Sequence, residues 1–178
     1  MGVDLSSGQR SFRRLHPSPN PSPSRGGALT PFLLRGPHDT EAFGSRLAAL
    51  LRPGDVVALS GELGVGKTTL ARGLLRGLGF EGDVASPTFP LVIAYEPPAT
   101  RLPLWHVDLY RIEDPAEIEE LGLDEARLDS ALAVEWPERL GAALWPDALR
   151  LRIEPAGEGG RALTARAPAA WGERWPPR

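Results

Sequence analysis

Eight consecutive residues, Gly61-Glu62-Leu63-Gly64-Val65-Gly66-Lys67-Thr68, fit the phosphate-binding pattern G-x-x-x-x-G-K-[ST] at every fixed position. An apolar run, Val56 to Leu59, precedes them, and a helix-like segment from Lys67 to Leu78 follows. The pattern has meaning only where a strand delivers the loop and a helix starts at its end, and both are present. The chain is therefore expected to be an α/β protein built around this unit.

A phosphate chain needs backbone N–H groups close to it. A Cβ on Gly61, Gly64 or Gly66 would obstruct that approach or the dihedral angles it requires. The cradle is read as Glu62, Leu63, Gly64, Val65, Gly66, Lys67, Thr68 and Thr69. The helix opening at Lys67 points unpaired N–H groups and the positive end of its dipole at the anion. Lys67 reaches the outer phosphates, and the Thr68 hydroxyl is placed to ligate Mg²⁺. Composition adds an independent argument. Lys67 is the only lysine among 20 Lys+Arg residues, so if the two were interchangeable a basic position would be lysine roughly one time in twenty. The exception falls where a compact ammonium is needed.

At 178 residues and 42% hydrophobic content, one domain with a real core is expected. With no cysteine there is no disulfide framework, thiolate metal site or cysteine nucleophile. No apolar run is long enough to span a membrane, and a cytoplasmic location is expected. Residues 1–28 are rich in proline and serine without apolar period, and they read as a disordered tail. The folded domain is placed at 29–170, with 171–178 as a C-terminal tail either frayed or packed by its tryptophans. The first 28 residues hold four arginines and one aspartate, so residues 29–178 carry −6 against −3 for the whole chain. An acidic domain is a poor free binder of nucleic acid.

Along the chain, Pro31 to Leu34 is a short strand, and Asp39 or Thr40 is placed to cap a helix carrying Phe43, Leu47, Leu50 and Leu51. Gly77 and Gly79 end the helix that begins at Lys67, and Asp83 to Phe89 is loop, because Pro87 disfavours helix at Ser86. Leu91 to Tyr95, Leu104 to Asp108 and Ala131 to Glu135 are strands. Glu113 to Glu125 holds seven acids in thirteen residues and no base, the pattern of a solvated helical face. Ala148 to Glu154 and Arg161 to Arg166 alternate as a hairpin about Gly157 to Gly160.

Two of these strands end in a carboxylate, Asp108 and Glu135. Ligands of open α/β sheets bind at the carboxyl ends of the strands, where the phosphate loop also lies. Both acids are therefore candidates to face one Mg²⁺, either of them directly or through water, with Glu135 alternatively orienting the attacking water. The sequence does not divide those duties.

The stretch Gly61 to Thr69, then Ser86-Pro87-Thr88-Phe89, then His106-Val107-Asp108-Leu109-Tyr110-Arg111, then Val134-Glu135-Trp136-Pro137 together resemble the TsaE (YjeE) family, small ATPases of bacterial tRNA threonylcarbamoyladenosine modification. The first motif is shared by many NTPases; the other three in this order are specific. The resemblance covers roughly Thr40 to Arg161. It implies a three-layer P-loop fold with a mixed, mainly parallel sheet, and ATP binding with Mg²⁺. It also implies action with TsaB and TsaD proteins, which would bring the chain to tRNA only indirectly. In that family the loop matching Ser86 to Thr88 behaves as a switch near the γ-phosphate, and the acids matching Asp108 and Glu135 serve metal and hydrolysis. Lys67, Asp108 and Glu135 are accordingly the implied catalytic residues, and Thr68, Asp108 and Glu135 the implied metal set. Thr40 and Arg161 match positions near the nucleotide, though a helix cap and a hairpin arginine account for them equally well. Pro90 and Trp105 depart from the family's usual residues.

Three other functions compete. A signalling GTPase needs a lysine in its guanine-reading motif, and none follows Lys67. A small-molecule kinase needs a substrate pocket with a lid, often arginine-lined, for which Arg72, Arg76, Arg101 and Arg111 are available. A non-hydrolysing ATP-dependent binding module would use the same loop.

Overall fold

The computed structural model describes residues 31–177, so the segment read as a disordered tail lies outside the described residues. One seven-stranded sheet runs in the order β1-β7-β6-β2-β5-β4-β3. Its strands are β1 (Phe32–Leu34), β2 (Val56–Ser60), β3 (Val92–Tyr95), β4 (Leu104–Asp108), β5 (Ala131–Glu135), β6 (Leu149–Ala156) and β7 (Gly160–Arg166). The four central strands β6, β2, β5 and β4 are mutually parallel. Antiparallel strands flank them: β3 beside β4, and β7 then β1 beside β6. The sheet is thus mixed with a parallel centre, as expected.

The composition of β2 and β5 follows from this position. A parallel strand covered on both faces reads as a continuous apolar run instead of an alternation, and all but the last residue of β2 and every residue of β5 are buried. Helices α1 (Pro37–Ala48) and α2 (Lys67–Gly77) cover one face, over Val57, Leu59, Leu104, Ala131 and Ala133. The opposite face, with Val56, Ala58, Val107, Leu132 and Val134, is covered by the short helices α3 (Pro115–Glu119) and α4 (Leu123–Ala126) and the 3₁₀ stretch Pro137–Ala143. This makes three layers.

α1 and α2 cross at backbone distance. A Cβ on Gly44 would collide with the Leu70 carbonyl oxygen, and one on Gly73 with the Glu41 carbonyl oxygen. Two glycines on facing surfaces therefore seat α2, and with it the loop that opens α2, against a rigid neighbour.

Local structure departs from the expectations, or decides between them, in three places. α1 begins at Pro37, before either expected cap; proline suits a first turn, where its missing N–H would have no helical partner. Asp39 instead accepts from the Arg35 N–H at 2.9 Å, and Thr40 donates its hydroxyl to the Gly36 carbonyl at 3.0 Å. The acidic segment is two short helices separated at Gly122, whose φ of 64° ends regular helix. Ile118 and Leu123 point inward from it and its acids outward. Finally, Trp171 is buried in the core, with its indole N–H donating to the Asp147 carbonyl at 3.1 Å.

Candidate functional site

The parallel strands converge at one edge, and there β2 runs into the phosphate loop. Gly66 caps α2 with φ 119° and ψ 17°, a conformation that a side chain would strain. The first helical backbone bond runs from Leu70 N–H to the Gly66 carbonyl at 3.0 Å, so the N–H groups at the head of α2 are left for a ligand. Behind the loop, Thr40 packs close to Gly66. Arg161 reaches across from β7 and donates from Nε to the Val65 carbonyl at 2.7 Å.

Lys67 is buried, and its Nζ donates to the carbonyls of Gly61 at 2.7 Å and Glu62 at 2.8 Å. Its ammonium also lies 4.0 Å from the centre of the Trp136 ring, an attractive cation–π distance. Burial pulls the Lys67 pKa below the ordinary lysine range, while the negative charges of Glu135, Asp108 and Glu138 pull it back up. Lys67 is thus a desolvated cation held by neutral dipoles and by acids. A phosphate offers it stronger, charge-assisted partners.

The two acids stand side by side, because Asp108 on β4 and Glu135 on β5 are register partners. One Asp108 oxygen accepts from the Thr88 hydroxyl at 2.6 Å, and the other accepts from the Tyr110 N–H at 2.9 Å. The Thr88 hydroxyl is also 2.8 Å from that of Ser86. One Glu135 oxygen lies 3.2 Å from the donating Thr68 hydroxyl, and the other lies 2.8 Å from His106 Nε2. Both carboxylates are almost fully buried. Register, and nothing nearer in sequence, brings the loop after β2, the 86–88 segment and the ends of β4 and β5 to one point.

That point is a cleft. Of the residues expected to bind or act, Leu63, Gly64, Gly66, Lys67, Thr68, Thr69, Thr88, Asp108 and Glu135 line it. Glu62 and Val65 hold the loop's shape through their carbonyls. Arg161 holds the Val65 carbonyl, Thr40 lies close to Gly66, and neither lines the cleft. Nor do Arg72, Arg76, Arg101 and Arg111, the candidates for a kinase lid. Ser86, Tyr110 and Trp136 do line it, although the sequence reading gave the two aromatics no role. The aromatic pair packs at 5.0 Å between ring centres, and Trp136 holds a left-handed backbone with φ 59°. That is an unfavourable conformation for a bulky residue, of a kind that clusters at functional sites. Two signals were available: each aromatic follows a strand-end acid by one or two residues, and each lies inside a motif that carries the resemblance.

The donor chemistry fits Mg²⁺. The ion takes oxygen ligands, keeps several waters and is held by one or two carboxylates together with substrate phosphates. Thr68, Asp108 and Glu135 supply a hydroxyl and two carboxylates beside the phosphate cradle. Among the described residues no group of three or more His, Cys, Asp and Glu side chains forms a cage of its own.

Comparison with known proteins agrees with the geometry. The family described as "Threonylcarbamoyl adenosine biosynthesis protein TsaE" matches residues 34–163. The tRNA threonylcarbamoyladenosine biosynthesis protein TsaE of Streptomyces coelicolor is 48% identical over 134 residues, covering 74% of this chain and 90% of that protein. Its Bacillus subtilis counterpart is 41% identical over 129 residues, covering 72% and 79%. The crystal structure of Bacillus subtilis YdiB superposes with a TM-score of 0.67 at 31% identity, covering 81% of this chain and 89% of that one. With a phosphate loop, two register-paired acids and a matching fold in place, the chain belongs to the TsaE family.

Proposed function

We propose that this chain binds ATP with Mg²⁺ in the cleft, hydrolyses it, and serves tRNA threonylcarbamoyladenosine formation together with TsaB- and TsaD-type proteins in the cytoplasm. The observation that carries the reading is the convergence of Lys67, Thr68, Asp108 and Glu135 on one cleft beside an open helix N-terminus. The relatives named above carry that biosynthetic role in their names.

The phosphates bind the N–H groups from Glu62 to Thr69, and Lys67 leaves its carbonyl partners for the outer phosphates. Thr68, Asp108 and Glu135 would hold the Mg²⁺, which when bound would neutralise charge developing on the phosphoryl oxygens. Glu135 would take its share of the metal through the oxygen that faces Thr68, its other oxygen lying against His106. Thr88 sits on Asp108, so the 86–88 segment senses the occupancy of the γ-phosphate position through that carboxylate.

An acidic domain meets repulsion from a phosphate backbone, so contact with tRNA runs through the partners. Among the described residues no helix is long and apolar enough to cross a membrane.

The test is reconstitution of purified TsaB and TsaD proteins with tRNA and an activated threonylcarbamoyl donor, with and without this chain. Phosphate release and threonylcarbamoylation are followed together. Both should require this chain and ATP, and ADP should not substitute. Formation of a phosphorylated small molecule would favour a kinase instead, and modification without phosphate release would favour a non-hydrolysing binding module.

A further inference from the structure

His106 lies on β4 two residues before Asp108, completely buried beneath the candidate site. Its Nε2 is 2.8 Å from Glu135 Oε1, and its Nδ1 has no hydrogen-bond partner among the described residues. The two nitrogens therefore have unequal surroundings. A proton on Nδ1 would be a buried donor with no acceptor, and it would leave Nε2 and a carboxylate facing each other as two acceptors. With the proton on Nε2, the ring donates to Glu135 and only a bare acceptor nitrogen remains unpaired, which is the cheaper arrangement.

We infer that His106 is a positioning residue: the Nε2–H tautomer clamps one oxygen of Glu135, so that the other is presented to Thr68 and the metal position in a single orientation. The inference rests on the ATPase reading for its catalytic consequence and on geometry alone for the tautomer. Glu135 has a torsionally free side chain, and its strand fixes only the backbone. The contacts given to its two oxygens are the His106 ring on one side and the Thr68 hydroxyl on the other. Thr68 is at the head of α2 and would turn toward the ligand when one binds, leaving His106 as the fixed partner. Carboxylates that serve a metal are held by such outer partners, whose loss costs about 10- to 100-fold in affinity or activity.

Two substitutions separate positioning from packing. A glutamine amide nitrogen occupies nearly the place of Nε2 and an asparagine nitrogen nearly that of Nδ1. His106→Gln therefore keeps a donor toward Glu135, whereas His106→Asn withdraws it. The expected result for His106→Asn is a kcat lower by about 10- to 100-fold with KM for ATP and affinity for ADP within about threefold. His106→Gln should stay within about threefold of the natural protein in all of these. The readout independent of activity is ¹⁵N NMR of the histidine rings in the full chain. Of three histidines, the signal lost in His106→Gln should show a protonated Nε2 and a bare Nδ1.

A bare Nε2 on His106 overturns the inference, and if neither variant folds the ring is assigned instead by substituting His16 and His38. Equal kcat in the two variants also overturns it when the natural chain hydrolyses ATP. Absence of hydrolysis by the natural chain with partners present would instead overturn the ATPase reading, while the tautomer would still decide whether His106 clamps Glu135.

Discussion

Strand β2 has a charged cluster at each end, and the two clusters are built on opposite principles. Below the strand, Asp55 receives two bonds from Arg174, at 2.6 and 3.1 Å, and a third from the Arg52 N–H at 2.8 Å. Arg174 also donates to the carbonyls of Leu50 and Ala170 and lies over the Trp171 ring, and the aspartate holds its pKa above the ordinary arginine value. Every charge there has an opposite charge in bidentate contact. Above the strand, Lys67 is buried against neutral carbonyls, and two acids are buried against hydroxyls, an N–H and a ring. The lower cluster is complete without a ligand. The upper one is stable enough to form and, on the proposed function, would be completed by a ligand that brings negative phosphates to Lys67 and a cation to the acids.

The sharpest way to break this comparison is Lys67→Met. It removes the charge that has no ionic partner in hydrogen-bond contact, so hydrolysis is expected to fall by about 10²- to 10³-fold, as when one preorganised donor to a developing anion is lost. The melting temperature of the ligand-free protein should not fall, since a desolvated cation is removed along with its activity. A clear drop in melting temperature would mean that Lys67 holds the loop together and that the two ends of β2 are alike.

Next in size are Asp108→Asn and Glu135→Gln. Each is expected to lower the Mg²⁺-dependent rate by about 10- to 100-fold while changing ADP affinity much less, because the loop amides hold most of the ground state. Calorimetric titration of ADP beside single-turnover phosphate release checks both. Equal loss of binding and rate would move these acids from the metal to the loop.

Arg174→Ala should do the reverse at the lower end. Losing charge-assisted bonds to a partly buried aspartate costs about 2 kcal/mol, a fall of roughly 4 to 8 °C in melting temperature for a domain of this size. The turnover of the folded protein should be unchanged.

How far these two ends could be read from the sequence differs for a physical reason. The upper end is written locally: glycines where a backbone must bend or approach, a lone lysine after them, and acids on the last residues of apolar strands, whose direction in a parallel sheet places them at one edge. The resemblance to a known family supplied the 86–88 segment. What was not legible depends on register between distant strands. Nothing near His106 in sequence says that Glu135 will lie beside it, and nothing near Trp136 says that its ring will meet Lys67. Arg174 and Asp55 are 119 residues apart, so their pairing had no local signal, and a terminal stretch with prolines left packing and fraying equally open. Thr40 and Arg161 were placed near the nucleotide by resemblance; in the structure Thr40 donates to the Gly36 carbonyl and Arg161 to that of Val65.

The smallest expected effect concerns pH, and it separates the two ends by sign. Burial lowers the Lys67 pKa in the folded chain below its ordinary value of 10.5. Between the folded and ordinary values the unfolded chain then binds more protons than the folded one, so this group makes stability rise with pH through that interval. Below it, the charged lysine disfavours folding by a constant amount. Lys67→Met removes the group and serves as its reference: the stability advantage of that variant, read from denaturant unfolding, should shrink as pH is raised from 7.5 toward 10.5. Arg174 behaves differently, because its hydrogen bonds to Asp55 raise its pKa above the ordinary arginine value and it stays protonated throughout. The deficit of Arg174→Ala should therefore be the same at both ends of the pH range. A Lys67→Met advantage that widened with pH would mean that the neighbouring acids outweigh burial at the upper end, making it a paired cluster like the lower one.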